Sequence, residues 1–357
     1  MAKIDVMFAA GGTGGHIYPA LAIAQELQSK HQKSVAWMGS INGLEQSIVP
    51  NAGIKAYWIN AQRFRGKSRA HKLALPFSLG RSFSQALVIL LRHRPALLVS
   101  MGGFVSVPAA LAAKCLGIPI VLHEQNAIAG MANSLISRIS KHNLSAYQNP
   151  FKHRARVHCI GNPIRAALQN VPQSPAKKSS STMHCLVLGG SQGARMLNQV
   201  IPQAWALVER GLDYQIWHQC GAQHLEATKA AYQKYGIKAK VSAYIEDMNQ
   251  AYDWADFILS RSGAMSVSEI SYKAKAALFI PFPYAVDNHQ TFNAKRLMDQ
   301  GGALMMEEKD LNPKNLCQTL TDLIKNPQKR IALGKAAGSC TQKDANSQFI
   351  NYCLSKK

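Results

Sequence analysis

Gly11-Gly12-Thr13-Gly14-Gly15-His16 is the first stretch whose residue types could do chemistry. It follows an apolar run, Ile4–Ala10, and precedes a run in which Ala20, Leu21, Ile23, Ala24 and Leu27 recur near a 3.6-residue period. The order is therefore strand, glycine loop, helix. Glycines let main-chain N–H groups approach a ligand closely, and a helix N-terminus adds unpaired donors and partial positive charge. Together they suit an anion, most often a phosphate. His16, at the start of that helix, is kept neutral by the positive end of the dipole and is the candidate proton acceptor.

The device recurs. Met101-Gly102-Gly103-Phe104-Val105-Ser106 follows a strand at Ala96–Ser100, and Gly189-Gly190-Ser191-Gln192-Gly193-Ala194 follows one at His184–Leu188. A fourth stretch, Ser260–Glu269, runs from a strand through small residues into a helix, with Glu269 as its lone acid. A carboxylate can accept both hydroxyl protons of a ribose diol, and it is equally at home near a helix N-terminus. Other phosphate chemistries fit poorly. In a G-x-G-x-x-G fingerprint the third glycine would fall at Ile17, and the second strand ends in Gly39-Ser40 with no acid for a ribose. No G-x-x-x-x-G-K-[ST] sequence and no Asp-x-Asp pair is present. A diphosphate leaving group would then be neutralised by hydroxyls, helix N-termini and arginine, for which Ser191, Arg261, Ser262 and Ser266 are the candidates.

Strands expected at 34–38, 56–59, 96–100 and 119–122 alternate with helices at 19–27, 43–49, 73–91, 108–116 and 130–140. The polar, proline- and serine-rich segment 169–182 reads as a linker. The pattern then restarts with strands at 184–188, 214–218, 257–260 and 277–281, and ends in helices over 313–357. Alternation of this kind builds parallel sheets covered on both faces, and ligands sit beyond the strand C-termini. The expected architecture is α/β, two Rossmann-like parallel-sheet domains facing a central cleft. Residues 1–162 form the first and 163–340 the second, with the last helix, about 341–357, returning to the first.

The chain has 357 residues and a net charge of +22. Residues 1–162 carry 18 lysines and arginines against four acids, so +14 lies in that half, and no acid occurs between Glu45 and Glu124. Such a field attracts nucleic acid, an anionic membrane or anionic substrates. Seven scattered cysteines with no C-x-x-C pair indicate neither a disulfide framework nor a zinc site. The N-terminus does not read as a signal peptide, and no apolar segment is long enough to span a bilayer, so the cytoplasm is the expected compartment.

The motifs Gly11–His16, Met101–Ser106, His123–Asn126, Gly161-Asn162-Pro163, Gly189–Ala194, Tyr244–Met248, Arg261–Glu269 and Gln290–Ala294 occur in the order seen in MurG-type transferases. The chain resembles that family over nearly its whole length. The resemblance implies a GT-B fold, inverting chemistry, and no metal or cofactor. It implies transfer of N-acetylglucosamine from UDP-N-acetylglucosamine (UDP-GlcNAc) to the muramoyl 4-hydroxyl of lipid I, forming lipid II in peptidoglycan synthesis. By motif, Thr13, Gly14, Gly15 and Asn126 meet the donor from the first domain, and Arg165 meets it near the domain junction. Ser191 faces the diphosphate, Ile245 holds uracil through its backbone, and Ala264, Met265, Ser266, Val267 and Ser268 line the nucleotide. Glu269 takes the ribose, Gln290 the sugar, and His16 is the base. One departure stands out: Ala274 and Ala276, flanked by Lys273 and Lys275, replace the family's usual Gly and Pro after the donor helix.

The resemblance further implies a peripheral protein on the cytoplasmic face of the inner membrane, bound to anionic lipids and working with cell-wall and division proteins that set cell shape. Arg63, Arg65, Lys67, Arg69 and Lys72 form a cationic run beside Leu73, Leu75, Phe77, Leu79 and Phe83, the pairing such docking needs. Two alternatives are a non-hydrolysing UDP-GlcNAc 2-epimerase, which would need more acids than the first half offers, and a basic nucleic-acid-binding protein. Against the second, no aromatic residues interleave with basic ones, so no nucleic-acid partner is expected.

Overall fold

A computed structural model describes residues 3–61, 75–153, 155–169, 182–190 and 193–355. It divides into two compact units, Met1–Arg165 with Gln342–Lys357, and Ala166–Thr341.

The first unit holds seven parallel strands: β1 Val6–Ala10, β2 Val35–Ser40, β3 Lys55–Ile59, β4 Leu97–Gly102, β5 Ile120–Glu124, β6 His142–Ser145 and β7 Val157–Cys159. Their order is β3-β2-β1-β4-β5-β6-β7. The chain thus builds outward from β1 to one edge, returns, and builds to the other. The switch falls between β1 and β4, where the loop after each strand is a glycine loop. Alternation along β1 explains why the sheet is apolar on both sides. Val6, Phe8 and Ala10 join one core with Ile17 and Ile23 of the helix Gly14–Ser29, whereas Met7 and Ala9 join another with Leu90, Val105 and Ala109.

The helix Ala345–Leu354 belongs to the first unit although it ends the chain. Phe349 and Ile350 are buried in the first of those cores. Asn346 anchors the helix, accepting from Ile164 N at 2.8 Å and donating to Ile164 O at 3.1 Å and Glu26 Oε2 at 3.2 Å.

The second unit repeats the plan with six parallel strands: β8 Met183–Leu188, β9 Tyr214–Gln219, β10 Lys240–Ser242, β11 Phe257–Ser260, β12 Ala276–Phe279 and β13 Leu304–Met305. The order β10-β9-β8-β11-β12-β13 places the switch between β8 and β11. Trp205, Phe257, Leu259, Leu278, Leu316 and Leu320 are central to its core.

Sequence periodicity misses β6, β7 and β13, which are only two to four residues long, whereas β10 is the strand expected just before Tyr244. Their register comes from the neighbouring strand rather than from their own side chains. The first helix begins at Gly14, five residues earlier than its apolar period suggests, and carries Pro19 inside it. The basic segment 62–72 and the linker 170–181 lie outside the described residues.

The Ala274 turn shows what its unusual residue costs. The helix Ala264–Tyr272 ends with Ala274 N bonded to Ser271 O at 2.9 Å and Lys275 N to Ile270 O at 3.1 Å, a Schellman closure. Its pivot is Ala274, at φ 51°, in the left-handed region that favours glycine. Gly338 makes room for the methyl: a Cβ there would lie 2.9 Å from Ala274 Cβ. The flanking lysines are structural, Lys273 pairing with Asp253 at 2.8 Å and Lys275 donating to Ala255 O at 2.8 Å. Left-handed strain of about 1–2 kcal/mol exceeds the ~0.4–1 kcal/mol of extra unfolded-chain freedom that glycine brings. Ala274→Gly is therefore expected to stabilise the protein by about 0.5–1 kcal/mol, read as a rise in the urea midpoint. A lower midpoint would contradict the strain argument.

Candidate functional site

In the first unit the two glycine loops at the β1/β4 switch interlock. A Cβ on Gly103 would lie 2.1 Å from Gly11 O, and one on Gly12 would lie 3.0 Å from the Phe104 ring. Both positions have positive φ, 90° and 92°, so glycine is required for conformation and for space. Glu45 braces the first loop from within the protein. It is fully buried and accepts from Gly12 N at 3.1 Å, Ser40 N at 2.9 Å and Ser40 Oγ at 2.8 Å. Nothing in the sequence marks Glu45 for this role except that it is one of only four acids in residues 1–162.

Thr13 is the N-cap of the helix Gly14–Ser29, and Gly14, Gly15 and His16 form its first turn. His16 Nδ1 lies 3.2 Å from Gly11 O and 3.4 Å from Thr13 Oγ1. A carbonyl can only accept, so Nδ1 carries a proton, and in the tautomer with that proton alone Nε2 is the acceptor nitrogen. That edge of the ring faces Gly102, where a Cβ would come within 3.1 Å of His16 Nε2 and 3.3 Å of Asn133 Nδ2.

Asn133, also beside Gly102, is held by a buried carboxylate, Glu124, at the end of β5. Glu124 Oε2 accepts from Asn133 Nδ2 at 2.9 Å and Gly130 N at 3.3 Å; Oε1 accepts from Asn126 N at 2.8 Å and Asn126 Nδ2 at 3.1 Å. Burial raises the Glu124 carboxyl above its ordinary range, and these four bonds oppose the shift. Asn126, expected on the donor, is thus oriented by Glu124, and the motif His123–Asn126 is a braced corner. Arg165 lies over the Tyr18 ring, 5.4 Å from its centroid.

In the second unit the third loop is equally tight: a Cβ on Gly193 would lie 2.0 Å from Cys220 O. Ser191 lies outside the described residues. Across the switch, the helix Ala264–Tyr272 starts at the end of β11, with Gly263 as N-cap. Ala264, Met265 and Val267 are buried, so their side chains serve the core and only their backbones can meet a ligand. The first-turn amides of Ala264, Met265 and Ser266 have no helical acceptor and form the anion-binding end. Ser266 and Ser268 are partly exposed. Glu269 is 4% exposed, and the buried Tyr252 donates its hydroxyl to Glu269 Oε2 at 3.0 Å.

Two expectations need correction. Arg261 does not offer a loose charge for a diphosphate. Its guanidinium pairs with Glu308 and donates to Ile280 O at 3.0 Å and Pro281 O at 3.1 Å, tying β11 to the segment after β12. Ser262 is fully buried and gives its hydroxyl to Gln290 O at 2.8 Å. The Ile245 N–H donates to Gln219 Oε1 at 3.1 Å. Gln290 uses Oε1 to accept from Phe282 N at 3.0 Å, which sets its side chain at the loop after β12. Sequence reasoning assigned no role to Glu45, Glu124, Asn133, Gln219 and Tyr252, because each acts by bracing a loop or another side chain rather than through a motif of its own.

Among the described residues no group of three or more histidine, cysteine, aspartate or glutamate side chains is arranged to hold a metal ion.

The end of β9 is held by a buried polar chain. His218 Nδ1 lies 3.0 Å from Tyr232 OH and Nε2 lies 3.0 Å from Asn198 Oδ1, while Asn198 Nδ2 donates to Cys220 O at 3.0 Å. Asn198 Oδ1 can only accept, so Nε2 carries the proton. Burial pushes the His218 pKa down to about 3, and that of His123 in the first unit down to about 4. Between these values and about 6.5 the unfolded chain binds protons that the folded protein refuses. Stability is therefore full above about pH 6.5 and falls as pH drops, by up to about 1.4 kcal/mol per unit for each histidine. His218→Gln is expected to lower stability at pH 7 but to lose less between pH 7 and pH 5 than the unaltered protein, read as urea midpoints. An equal loss in both would show that His218 does not carry the acid sensitivity.

The glycosyltransferase family 28 N-terminal domain matches residues 6–144, and the glycosyltransferase family 28 C-terminal domain matches residues 184–349. The crystal structure of MurG from Acinetobacter baumannii aligns with a TM-score of 0.82 at 34% identity, covering 99% of both chains. A UDP-GlcNAc 2-epimerase from Neisseria meningitidis aligns with a TM-score of 0.66 over 99% of this chain and all of its own (100%), but at 13% identity, a likeness of fold alone. A relative in Nitrosococcus oceani is 40% identical over 98% of each chain and bears the name UDP-N-acetylglucosamine–N-acetylmuramyl-(pentapeptide) pyrophosphoryl-undecaprenol N-acetylglucosamine transferase. On this full-length similarity, carried by both halves, the chain belongs to the MurG family of N-acetylglucosamine transferases.

Proposed function

We propose that this chain moves N-acetylglucosamine from UDP-GlcNAc to the 4-hydroxyl of the N-acetylmuramyl sugar of lipid I, yielding lipid II. The observation that carries the chemical part is the setting of His16, whose Nδ1–H is committed to Gly11 O. The lone pair on Nε2 accepts the proton of the attacking hydroxyl, a contribution of about 10²–10⁴-fold in rate. Attack from the face opposite UDP inverts the anomeric centre.

The second unit takes the nucleotide. Charge developing on departing UDP is stabilised by the amides that open the helix Ala264–Tyr272, by Ser266 and Ser268, and by Ser191 of the third loop. Glu269 accepts from the ribose hydroxyls, with Tyr252 fixing its carboxylate. Ile245 supports the base, and Gln290 the transferred sugar. Thr13, Gly14, Gly15, Asn126 and Arg165 complete the donor contacts from the first unit.

The test is transfer of radiolabel from UDP-GlcNAc to a lipid I analogue. His16→Ala is expected to lower kcat by about 10²–10⁴-fold with the donor KM nearly unchanged. Glu269→Ala should instead raise the donor KM, the loss of charge-assisted ribose bonds costing about 1.5–3 kcal/mol. A His16→Ala enzyme that loses donor binding but keeps kcat would assign His16 to binding. Release of a free epimerised sugar by the unaltered protein would overturn the transferase reading.

The same reading places the protein at the cytoplasmic face of the inner membrane, because the acceptor's isoprenoid cannot leave the bilayer. No helix of the described residues is long and apolar enough to cross a membrane, so docking is peripheral. The helix Leu75–His93 supports this. It buries Ser82, Ala86 and Leu90 but exposes Phe77 at 85%, Val88 at 56% and Leu91 at 43%. Each nearby basic residue adds about 1 kcal/mol on an anionic leaflet. Replacing Arg63, Arg65, Arg69 and Lys72 by Gln is expected to release the protein from anionic vesicles while turnover of a soluble acceptor survives. Equal sedimentation with neutral and anionic vesicles would refute the electrostatic part.

A further inference from the structure

Tyr18 stands one turn into the helix Gly14–Ser29, and no step of the proposed transfer uses it. Residues four apart on a helix are neighbours, and here Tyr18 touches Gly14. A Cβ on Gly14 would lie 3.1 Å from Tyr18 Cε2 and 3.2 Å from Cδ2. The edge of the ring thus rests on the residue that opens the helix. Tyr18 is partly buried and packs on the core that holds Ile17, Ile23 and Phe349. Held at its edge and on the core, the ring offers a fixed face.

The guanidinium of Arg165 lies on that face, 5.4 Å from the ring centroid, within the reach of a cation–π contact. The backbone ahead of Arg165 is anchored independently. Ile164 is buried, gives its N–H to Asn346 Oδ1 at 2.8 Å and accepts from Asn346 Nδ2 at 3.1 Å. With the chain fixed one residue earlier, the surface beneath the guanidinium decides where that group sits. A guanidinium stacked on an aromatic ring uses its flat face and leaves its N–H groups pointing outward in the plane. That edge is the one with which arginine binds phosphate in a bidentate way. The anionic group of UDP-GlcNAc is its diphosphate.

We infer that Tyr18 is a positioning residue for donor binding: its ring carries the Arg165 guanidinium and sets the edge that Arg165 presents to the donor's diphosphate. The ring's own place is set by Gly14 and the core. The inference rests on the reading that Arg165 contacts the donor, and it names the side chain that orients that contact. Acting through Arg165, Tyr18 governs donor affinity rather than the chemical step.

The test is steady-state transfer from UDP-GlcNAc to a lipid I analogue by the full-length protein. The variants are Tyr18→Leu, Tyr18→Phe, Arg165→Ala and the double variant Tyr18→Leu with Arg165→Ala. Tyr18→Leu removes the aromatic face and is expected to raise the donor KM about 3–30-fold, with kcat changed less than about twofold. Tyr18→Phe keeps the face and is expected to hold the donor KM within about twofold of the unaltered protein. Once Arg165 is alanine, Tyr18→Leu is expected to add less than about twofold, because a residue acting through another loses its effect when that other is gone. A ring-fluorinated phenylalanine at position 18 keeps the shape but weakens the negative face, so it serves if Tyr18→Leu does not fold. It is expected to raise the donor KM above that of Tyr18→Phe. Equal penalties of Tyr18→Leu with and without Arg165, a Tyr18→Phe protein as impaired as Tyr18→Leu, or no effect of fluorination overturns the positioning role alone. If Arg165→Ala leaves the donor KM unchanged, the assignment of Arg165 to the donor fails and the inference falls with it.

Discussion

The first unit depends on one buried carboxylate. Glu45 is fully removed from solvent, and what makes that tolerable is that three donors converge on it: Gly12 N, Ser40 N and Ser40 Oγ. A buried ion without such partners would be strongly destabilising. With them it becomes a brace that fixes the turn from β1 into the helix Gly14–Ser29. The loop so fixed can accept the second glycine loop against its backbone at Gly11, and His16 inherits its orientation from the Gly11 carbonyl. The orientation of His16 thus depends on a loop that a buried acid braces.

The second unit reaches a comparable end by different means. There the third loop closes on the end of β9 through Gly193 and Cys220, and β9 is pinned by the His218–Asn198–Tyr232 chain. Around the opposite loop, Arg261 and Ser262 spend their hydrogen bonds on Glu308, on the carbonyls of Ile280 and Pro281, and on Gln290. These contacts hold the helix N-terminus of Ala264–Tyr272 in place. Amides held in this way are preorganised, and such donors cost no reorganisation when charge develops beside them.

Both units share a rule: the groups offered to ligands are backbone amides and a few short side chains, while longer charged side chains act as struts. Glu45, Glu124, Arg261 and Lys273 are all partnered inside the protein. This accounts for a site rich in glycine and serine in a chain whose net charge is +22. The excess charge is available for long-range attraction of anionic surfaces and substrates rather than for close contact.

The sequence by itself determined the alternation of strands and helices, the recurrence of glycine loops, and the basic bias of the first half. Each of these rests on local periodicity or composition, which short windows capture. It also made the order of eight motifs legible, enough to indicate the family. Strand order, the short strands β6, β7 and β13, and the return of Ala345–Leu354 to the first unit were decided by pairing and burial between residues far apart in the chain. The same holds at the site. Whether the Ile245 N–H is open and whether Arg261 is a free charge or a strut depend on partners 26 and 47 residues away, Gln219 for Ile245 and Glu308 for Arg261, and Glu45 reaches Gly12 across 33 residues. A hydrogen bond of that kind leaves no periodic trace in the sequence, because either partner alone reads as an ordinary polar residue.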